Sequence, residues 1–267
     1  MATATLSVRA SGWRHSNSLS LPGLIAAFLL LAGGTRGFGD GVEDALVRAA
    51  RLPPTEAARV LSQAGRNAPD RADLLTALSR ALSESVDAHA KKKEKAAAER
   101  AARLAVEKAE RAVALDAKSS AAHLALAIAC GKLTDFSDNT TKMRLSRRIR
   151  DEAQEALALN AGEDLAHHIL GRWHYGIATL NPMLKLAARV AYGALPPASL
   201  KEAAEHLEKA VALKPNLILH RKELAVVYRE AGEKEKAAEQ WKAVTALPAA
   251  DEEDKEAQRQ ARKALGQ

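Results

Sequence analysis

The sequence predicts an all-α fold, a helical repeat solenoid of about four helix pairs closed by a C-terminal capping helix. Three observations predict it. Ala, Leu, Glu, Lys and Arg dominate the 267 residues, whereas Trp, Tyr and Phe occur three times each. Unbranched side chains lose little freedom in a helix. Long alternating β-branched runs, the mark of strands, do not occur. Finally, one helix-closing phrase recurs, as Ala112-Val-Ala-Leu115, Ala156-Leu-Ala-Leu159, Ala210-Val-Ala-Leu213 and Ala243-Val-Thr-Ala-Leu247.

The chain opens differently. Residues 1–15 carry Arg9, Arg14 and His15 without an acid, and the apolar run Leu21–Ala32 and small Gly33-Gly34 follow. A basic start, a short apolar core and small residues predict a secretory signal over residues 1–34, with cleavage after Gly34. A retained membrane anchor is the rival. The compact core is shorter than the ~20 residues a spanning helix needs, but the uncharged stretch Ser16–Thr35 is longer. An organellar presequence is a third reading. Cleavage implies export, periplasmic or secreted, and retention implies membrane anchoring. Residues 35–69 read as a Gly-rich linker and a short helical hairpin, Val42–Arg51 and Thr55–Ala64, broken at Pro53-Pro54.

Residues 70–267 form the repeat domain. The closing leucines lie 44, 54 and 34 residues apart. The last interval is the tetratricopeptide period, and the longer ones predict loops inserted within repeats. The expected helix pairs are 70–89 with 95–115, 119–133 with 143–159, 163–180 with 199–213, and 217–231 with 234–247. A helix over 251–265 caps the end, with the acids Asp251–Asp254 at its positive pole. Candidate repeat-packing residues are Leu224, Ala225, Tyr228, Gly232, Ala237 and Trp241 in the final unit, and Leu170, Gly171, Trp173 and Tyr175 in the preceding one. The small residues sit where paired helices approach, and the large ones fill the space alongside. Each hairpin then leaves an apolar face for its neighbour.

The net charge of +7 permits an acidic partner. Lys142, Arg144, Arg147, Arg148 and Arg150 place five cations within nine residues, most on one helix face, and form the candidate partner-binding patch. A salt-bridged outer face is the plainer account. Lys91-Lys-Lys-Glu-Lys95 falls at a helix–helix turn, where solvation is expected. The insertion Asn181–Ser199 holds Met183, Leu184, Leu186, Val190 and Tyr192 with Lys185 and Arg189. It reads as an amphipathic helix that covers the core or, alternatively, dips into a membrane surface.

Catalytic chemistry is not legible. No phosphate loop, nucleophile elbow or paired-carboxylate motif stands out. His167, His168 and His174 sit beside Trp173 and Tyr175, but with neither a His-Glu-x-x-His arrangement nor a cysteine pair they are read as core packing. Cys130 is the only cysteine and lies in an apolar stretch, as a small core residue. No metal or cofactor is expected. Nucleic acid is not an expected partner either, because the basic patch lacks interleaved aromatics.

Several stretches carry a family resemblance: His168-Ile-Leu-Gly-Arg-Trp-His-Tyr175, Tyr192-Gly-Ala-Leu-Pro-Pro197, Ala203-Ala-Glu-His-Leu-Glu-Lys-Ala210 and Ala246-Leu-Pro-Ala-Ala-Asp-Glu-Glu-Asp-Lys255. From about Asp70 to the C-terminus the chain resembles the regulator of microtubule dynamics family. The resemblance implies a tetratricopeptide-like fold, microtubule association in some relatives and N-terminal membrane attachment in others. It transfers no catalytic residue. The expected function is a non-catalytic protein–protein interaction scaffold with a protein or peptide partner, including a microtubule or other acidic protein surface. The alternatives are a membrane-surface adaptor and, from another class, an enzyme or metalloprotein.

Overall fold

The computed structural model describes residues 40–192 and 197–267. The signal or anchor expected over residues 1–34 falls outside the described residues, as does part of the Tyr192–Pro197 stretch. The described elements are helical: α1 (Asp40–Ala49), α2 (Pro54–Ala64), α3 (Ala72–Lys91), α4 (Lys95–Leu115), α5 (Ser120–Leu133), α6 (Asn139–Leu159), α7 (Asp164–Ala178), α8 (Pro182–Tyr192), α9 (Leu200–Leu213), α10 (Ile218–Glu230), α11 (Lys234–Ala246) and α12 (Glu252–Ala264). A short 3-10 turn, Thr134–Phe136, separates α5 from α6.

Local chemistry sets many of the boundaries. Ser119, Asp138, Ser199 and Asp251 each accept a hydrogen bond from a backbone N–H two or three residues ahead, satisfying donors that a helix start leaves orphaned. Gly232 ends the α10 turn at φ 81°, and Glu233 N–H donates back to the Tyr228 carbonyl at 2.9 Å. That left-handed step is open to glycine without a steric penalty.

The long repeat intervals arise differently from the expected loop insertions. Asp138 caps α6 early, through Thr141 N–H at 2.9 Å and the Thr141 hydroxyl at 3.1 Å, so polar residues expected in a loop enter the helix. The first interval is therefore absorbed largely by a longer helix, and the second holds α8 as an added helix.

The helices pack as antiparallel neighbours, α3 on α4, α5 on α6, α7 on α9 and α10 on α11, with α12 against α10 and α11. The hairpin α1–α2 packs on α3, and Val42, Leu46, Leu61, Leu74 and Leu78 share one apolar cluster. On α4, Ala98, Ala101, Ala102, Ala105, Ala109 and Ala112 are buried at steps of three and four. This alanine stripe lets α4 lie close to both neighbours. At the α7–α9 crossing the small residue is Gly171: a Cβ there would stand 2.6 Å from Leu207 Cγ and 3.0 Å from the Ala203 carbonyl oxygen.

Candidate functional site

The first helix of each pair stacks on the first helix of the next, in the order α3, α5, α7, α10, α12. Packed helices lie 8–10 Å apart, so a straight stack would hold α12 roughly 35 Å from α3. Instead Lys91 Nζ at the end of α3 lies 2.8 Å from Glu253 Oε1 at the start of α12. The stack therefore curves until one side of it faces itself. The lysine of the expected solvated turn is the residue that crosses the gap.

The residues on this inner side are charged. Lys132 of α5 is 3% exposed and holds both carboxylate oxygens of Asp87 from α3, at 2.7 and 2.8 Å. Burial lowers the lysine and raises the carboxyl, so desolvation outweighs the attraction within the pair. One turn earlier, the Glu84 carboxyl is pushed up to about 7, chiefly by burial, against the opposing charges of Arg80 and Lys132 and with Asp87 adding to the rise. It has no hydrogen-bond partner among the described residues. Arg80 of α3 acts electrostatically on Glu163, just before α7. Arg172 of α7 and Lys222 of α10 both pair with Glu223, at 3.9 and 3.2 Å. Lys222 also faces Asp254 of α12. The face thus alternates in sign and holds groups that are largely removed from water.

Beneath it runs a buried polar chain. Lys214 Nζ and His220 Nε2 both donate to Asp164, each at 2.8 Å, and His220 Nδ1 lies 3.0 Å from His168 Nδ1. Burial alone would raise Asp164, but the hydrogen bonds from His220 and Lys214 hold its carboxyl below the usual range. His168 is held well below its ordinary value by burial first, and then by His220, Arg172 and Lys222 beside it. Its Nε2 is buried without a hydrogen-bond partner among the described residues. A second group joins α7 to α9: His167 Nδ1 lies 3.0 Å from His206 Nδ1, and the His174 and His206 rings stack at 5.6 Å. His206 is lowered to about 4, first by burial and then by the other two histidines. No group of three or more His, Cys, Asp or Glu among the described residues is arranged to hold a metal ion.

The basic patch lies on α6, the second helix of its pair. Arg144 and Arg147 are exposed, and Lys142 is half-buried. Arg148 pairs with Glu110 of α4 and with Glu152. Arg150 bonds Asp151 at 2.6 Å and lies over the Trp173 ring at 5.5 Å. Arg148 and Arg150 thus make contacts within the fold, while Arg144 and Arg147 are exposed to solvent.

The repeat-packing residues fall along the crossings. Leu170, Gly171, Trp173, Leu224, Ala225, Tyr228, Ala237 and Trp241 are buried, while Tyr175 is half-buried. Trp173 Nε1–H donates to the Ser146 carbonyl at 3.0 Å, and the Tyr228 hydroxyl donates to Glu208 at 2.6 Å. Cys130 is fully buried, and burial pushes its thiol up to about 12. The amphipathic segment differs from its favoured expectation. Rather than covering the core, α8 leaves Met183 and Val190 each 80% exposed and Leu186 64% exposed. With no substantial packing partner among the described residues, these three side chains face outward.

Sequence reasoning missed Asp87, Lys132, Glu84, Asp164, His206 and His220. The local signal for Lys132 was a lysine at the end of the apolar run Leu124–Cys130, on a helix buried from Ala122 to Cys130. For the histidine pairs the partners lie 39 and 52 residues apart, and no spacing rule connects them.

The geometry agrees with known proteins at two levels. Among solved structures, the chain is similar to a thermophilic tetratricopeptide protein of Thermus thermophilus, with a TM-score of 0.56 and 16% identity over 86% of this chain and all of that one. It is also similar to the pilF protein of Pseudomonas aeruginosa, with a TM-score of 0.52 and 14% identity over 86% of this chain and 84% of that one. These likenesses show the fold alone. Regulator of microtubule dynamics protein 3 of Xenopus laevis is 27% identical over 151 residues, 56% of this chain and 33% of the relative. Regulator of microtubule dynamics protein 2 of Homo sapiens is 26% identical over 161 residues, 58% and 38% respectively. The chain thus matches only about a third of these relatives' length. The family model for regulator of microtubule dynamics proteins 1-3 matches residues 44–267, all but the first few described positions, and the chain belongs to that family.

Proposed function

We propose that this protein is a non-catalytic interaction scaffold that holds a peptide or protein segment against the inner face of α3, α5, α7, α10 and α12. The observation that carries the reading is Glu84. Its carboxyl stands on a charged, curved face, is pushed up to about 7 by burial and has no hydrogen-bond partner among the described residues. Arg80 and Lys132 act on it without offsetting its burial, so such a group costs the fold stability and is relieved when a further cation from outside pairs with it. Curvature supports the same reading, because the inner face presents groups from α3, α5, α7, α10 and α12 to one bound segment.

The test is differential capture from the native host with the wild-type protein and with Glu84→Arg. Proteins retained by the first and lost by the second are inner-face partners, provided circular dichroism shows the same helicity. An identical set of captured proteins removes the inner face as the binding site.

The outer basic patch is proposed as a second contact, toward an acidic protein surface. Arg144 and Arg147 are its exposed members, and the names of the relatives point to microtubules as the surface to try. Cosedimentation of Arg144→Glu/Arg147→Glu with microtubules decides. Absence of binding by the wild-type chain, or equal binding by the variant, refutes this contact.

A further inference from the structure

The helix α8 stands apart from the solenoid. Its eleven residues make no substantial packing contact with another helix among the described residues, and it begins at Pro182, which cannot extend the preceding helix. Met183, Leu186 and Val190 lie at steps of three and four, so they share one face, and all three are strongly exposed. Lys185 and Arg189 accompany them. Lys185 Nζ donates to the Ala178 carbonyl at 2.8 Å, which ties α8 to the end of α7, while Arg189 is exposed. Between Asp164 and Glu202 the sequence contains no acid, but it contains Arg172, Lys185, Arg189 and Lys201.

We infer that α8 is a docking helix for an anionic phospholipid surface, lying in the plane of the interface with Met183, Leu186 and Val190 among the acyl chains. Charge selects this occupant. A second copy meeting α8 across a two-fold axis would set cations against cations, because such an interface places the same patch on both sides. An anionic headgroup layer instead pairs with Arg189, with the tethered Lys185 adding positive charge beside it, while the apolar face leaves water. Length agrees: at 1.5 Å per residue α8 is roughly 16 Å long, too short to cross a ~30 Å hydrocarbon core but long enough to lie on it. The inference does not rest on the partner site proposed for the inner face.

Because the N-terminal apolar segment could itself bind vesicles, the test reads α8 directly in the full chain. An environment-sensitive fluorophore is attached at Met183→Cys or Val190→Cys, with Glu107→Cys on α4 as the distant control. Cys130 is fully buried, so labelling goes to the introduced thiol. Phosphatidylcholine vesicles are compared with vesicles containing phosphatidylglycerol. The expected result is a blue shift and quenching by spin-labelled acyl chains at 183 and 190, on the anionic vesicles only and not at 107. Arg189→Ala should lower the partitioning read at 183 about fivefold, the value of one cation at such a surface. Leu186→Glu should abolish the signal without changing the melting temperature, because α8 contributes little to the core. Three results would overturn the inference: vesicle binding with a silent label at 183 and 190, equal signals on neutral and anionic vesicles, or a concentration-dependent shift without vesicles, which would mark self-association.

Discussion

Gly171→Ala adds a single methyl group at the α7–α9 crossing. That methyl would stand 2.6 Å from Leu207 Cγ, 3.2 Å from Leu207 Cδ2 and 3.0 Å from the Ala203 carbonyl oxygen. Ordinary carbon contacts lie near 3.5–4.0 Å, so the overlap with Leu207 is about 1 Å. Leu207 is completely buried and has little room to turn aside, and the Ala203 oxygen belongs to the α9 backbone. The helices must therefore separate. Because the clash falls on the branch point of a buried side chain and on backbone, the cost lies in the upper part of the overpacking range, about 2–3 kcal/mol, and replacing a helical glycine by alanine returns about 1 kcal/mol. The expected net loss is about 1–2 kcal/mol, or roughly 3–6 °C in melting temperature for a chain of this size. Thermal unfolding followed by circular dichroism at 222 nm measures it, and a Leu207→Ala background supplies the control. There the main overlap is gone, so the same methyl should be close to neutral, with a coupling of about 1–2 kcal/mol between the positions. A single variant that melts at or above the wild-type temperature would refute the claim that Gly171 sets the α7–α9 distance.

Other perturbations reach the inner face. Lys132→Met should destabilise by about 3–5 kcal/mol in urea titrations by stranding Asp87, and adding Asp87→Leu should recover most of the loss. Lys91→Glu should cost less than about 1 kcal/mol, because Lys91 is 62% exposed, yet it should raise the radius of gyration in small-angle scattering as α3 and α12 part. Glu84→Gln should stabilise the fold by about 2 kcal/mol at pH 8 while weakening capture of an inner-face partner. A carboxyl raised from 4.5 to about 7 favours folding below 4.5 and loses that contribution as pH climbs through 7. His206 acts in the opposite sense. Its folded value near 4 lies below the ordinary 6.5, so its contribution is complete above 6.5 and is lost as pH falls toward 4. His206→Gln should flatten the pH 4–6.5 stability profile by at most about 2 kcal/mol, since part of the ring is screened by water.

The helix pairs were legible because the periods that specify them are local. Closing phrases such as Ala112–Leu115, the proline breaks and the small residues Gly171 and Ala225 each constrain geometry within a few residues. The start of α6 was misplaced because Asp138 looked like part of a polar loop, and only its bond to Thr141 N–H reveals a cap. The inner face was opaque for a different reason. Curvature accumulates from small packing angles over several hairpins, and no local spacing encodes the sum. Lys132 therefore carries no mark in the sequence that sets it apart from other lysines at helix ends, and Lys91 reads as part of a solvated turn. The basic patch was visible as a cluster, but how far Arg148 and Arg150 turn inward depends on Glu110 and Trp173, which lie on other helices. For α8 the amphipathic pattern was plain, but its orientation depended on whether a neighbouring helix offered a matching face.

The contact between Lys91 and Glu253 has an evolutionary consequence. Repeat proteins ordinarily grow or shrink by duplicating or deleting whole units, since each unit touches only its neighbours. Here four successive steps of the stack bring α12 back within reach of α3. A fifth unit would carry the last helix past its partner, and a lost unit would leave it short. Changes to this array are therefore easier within units, by lengthening a helix as at α6 or inserting one as at α8, than by changing the number of units.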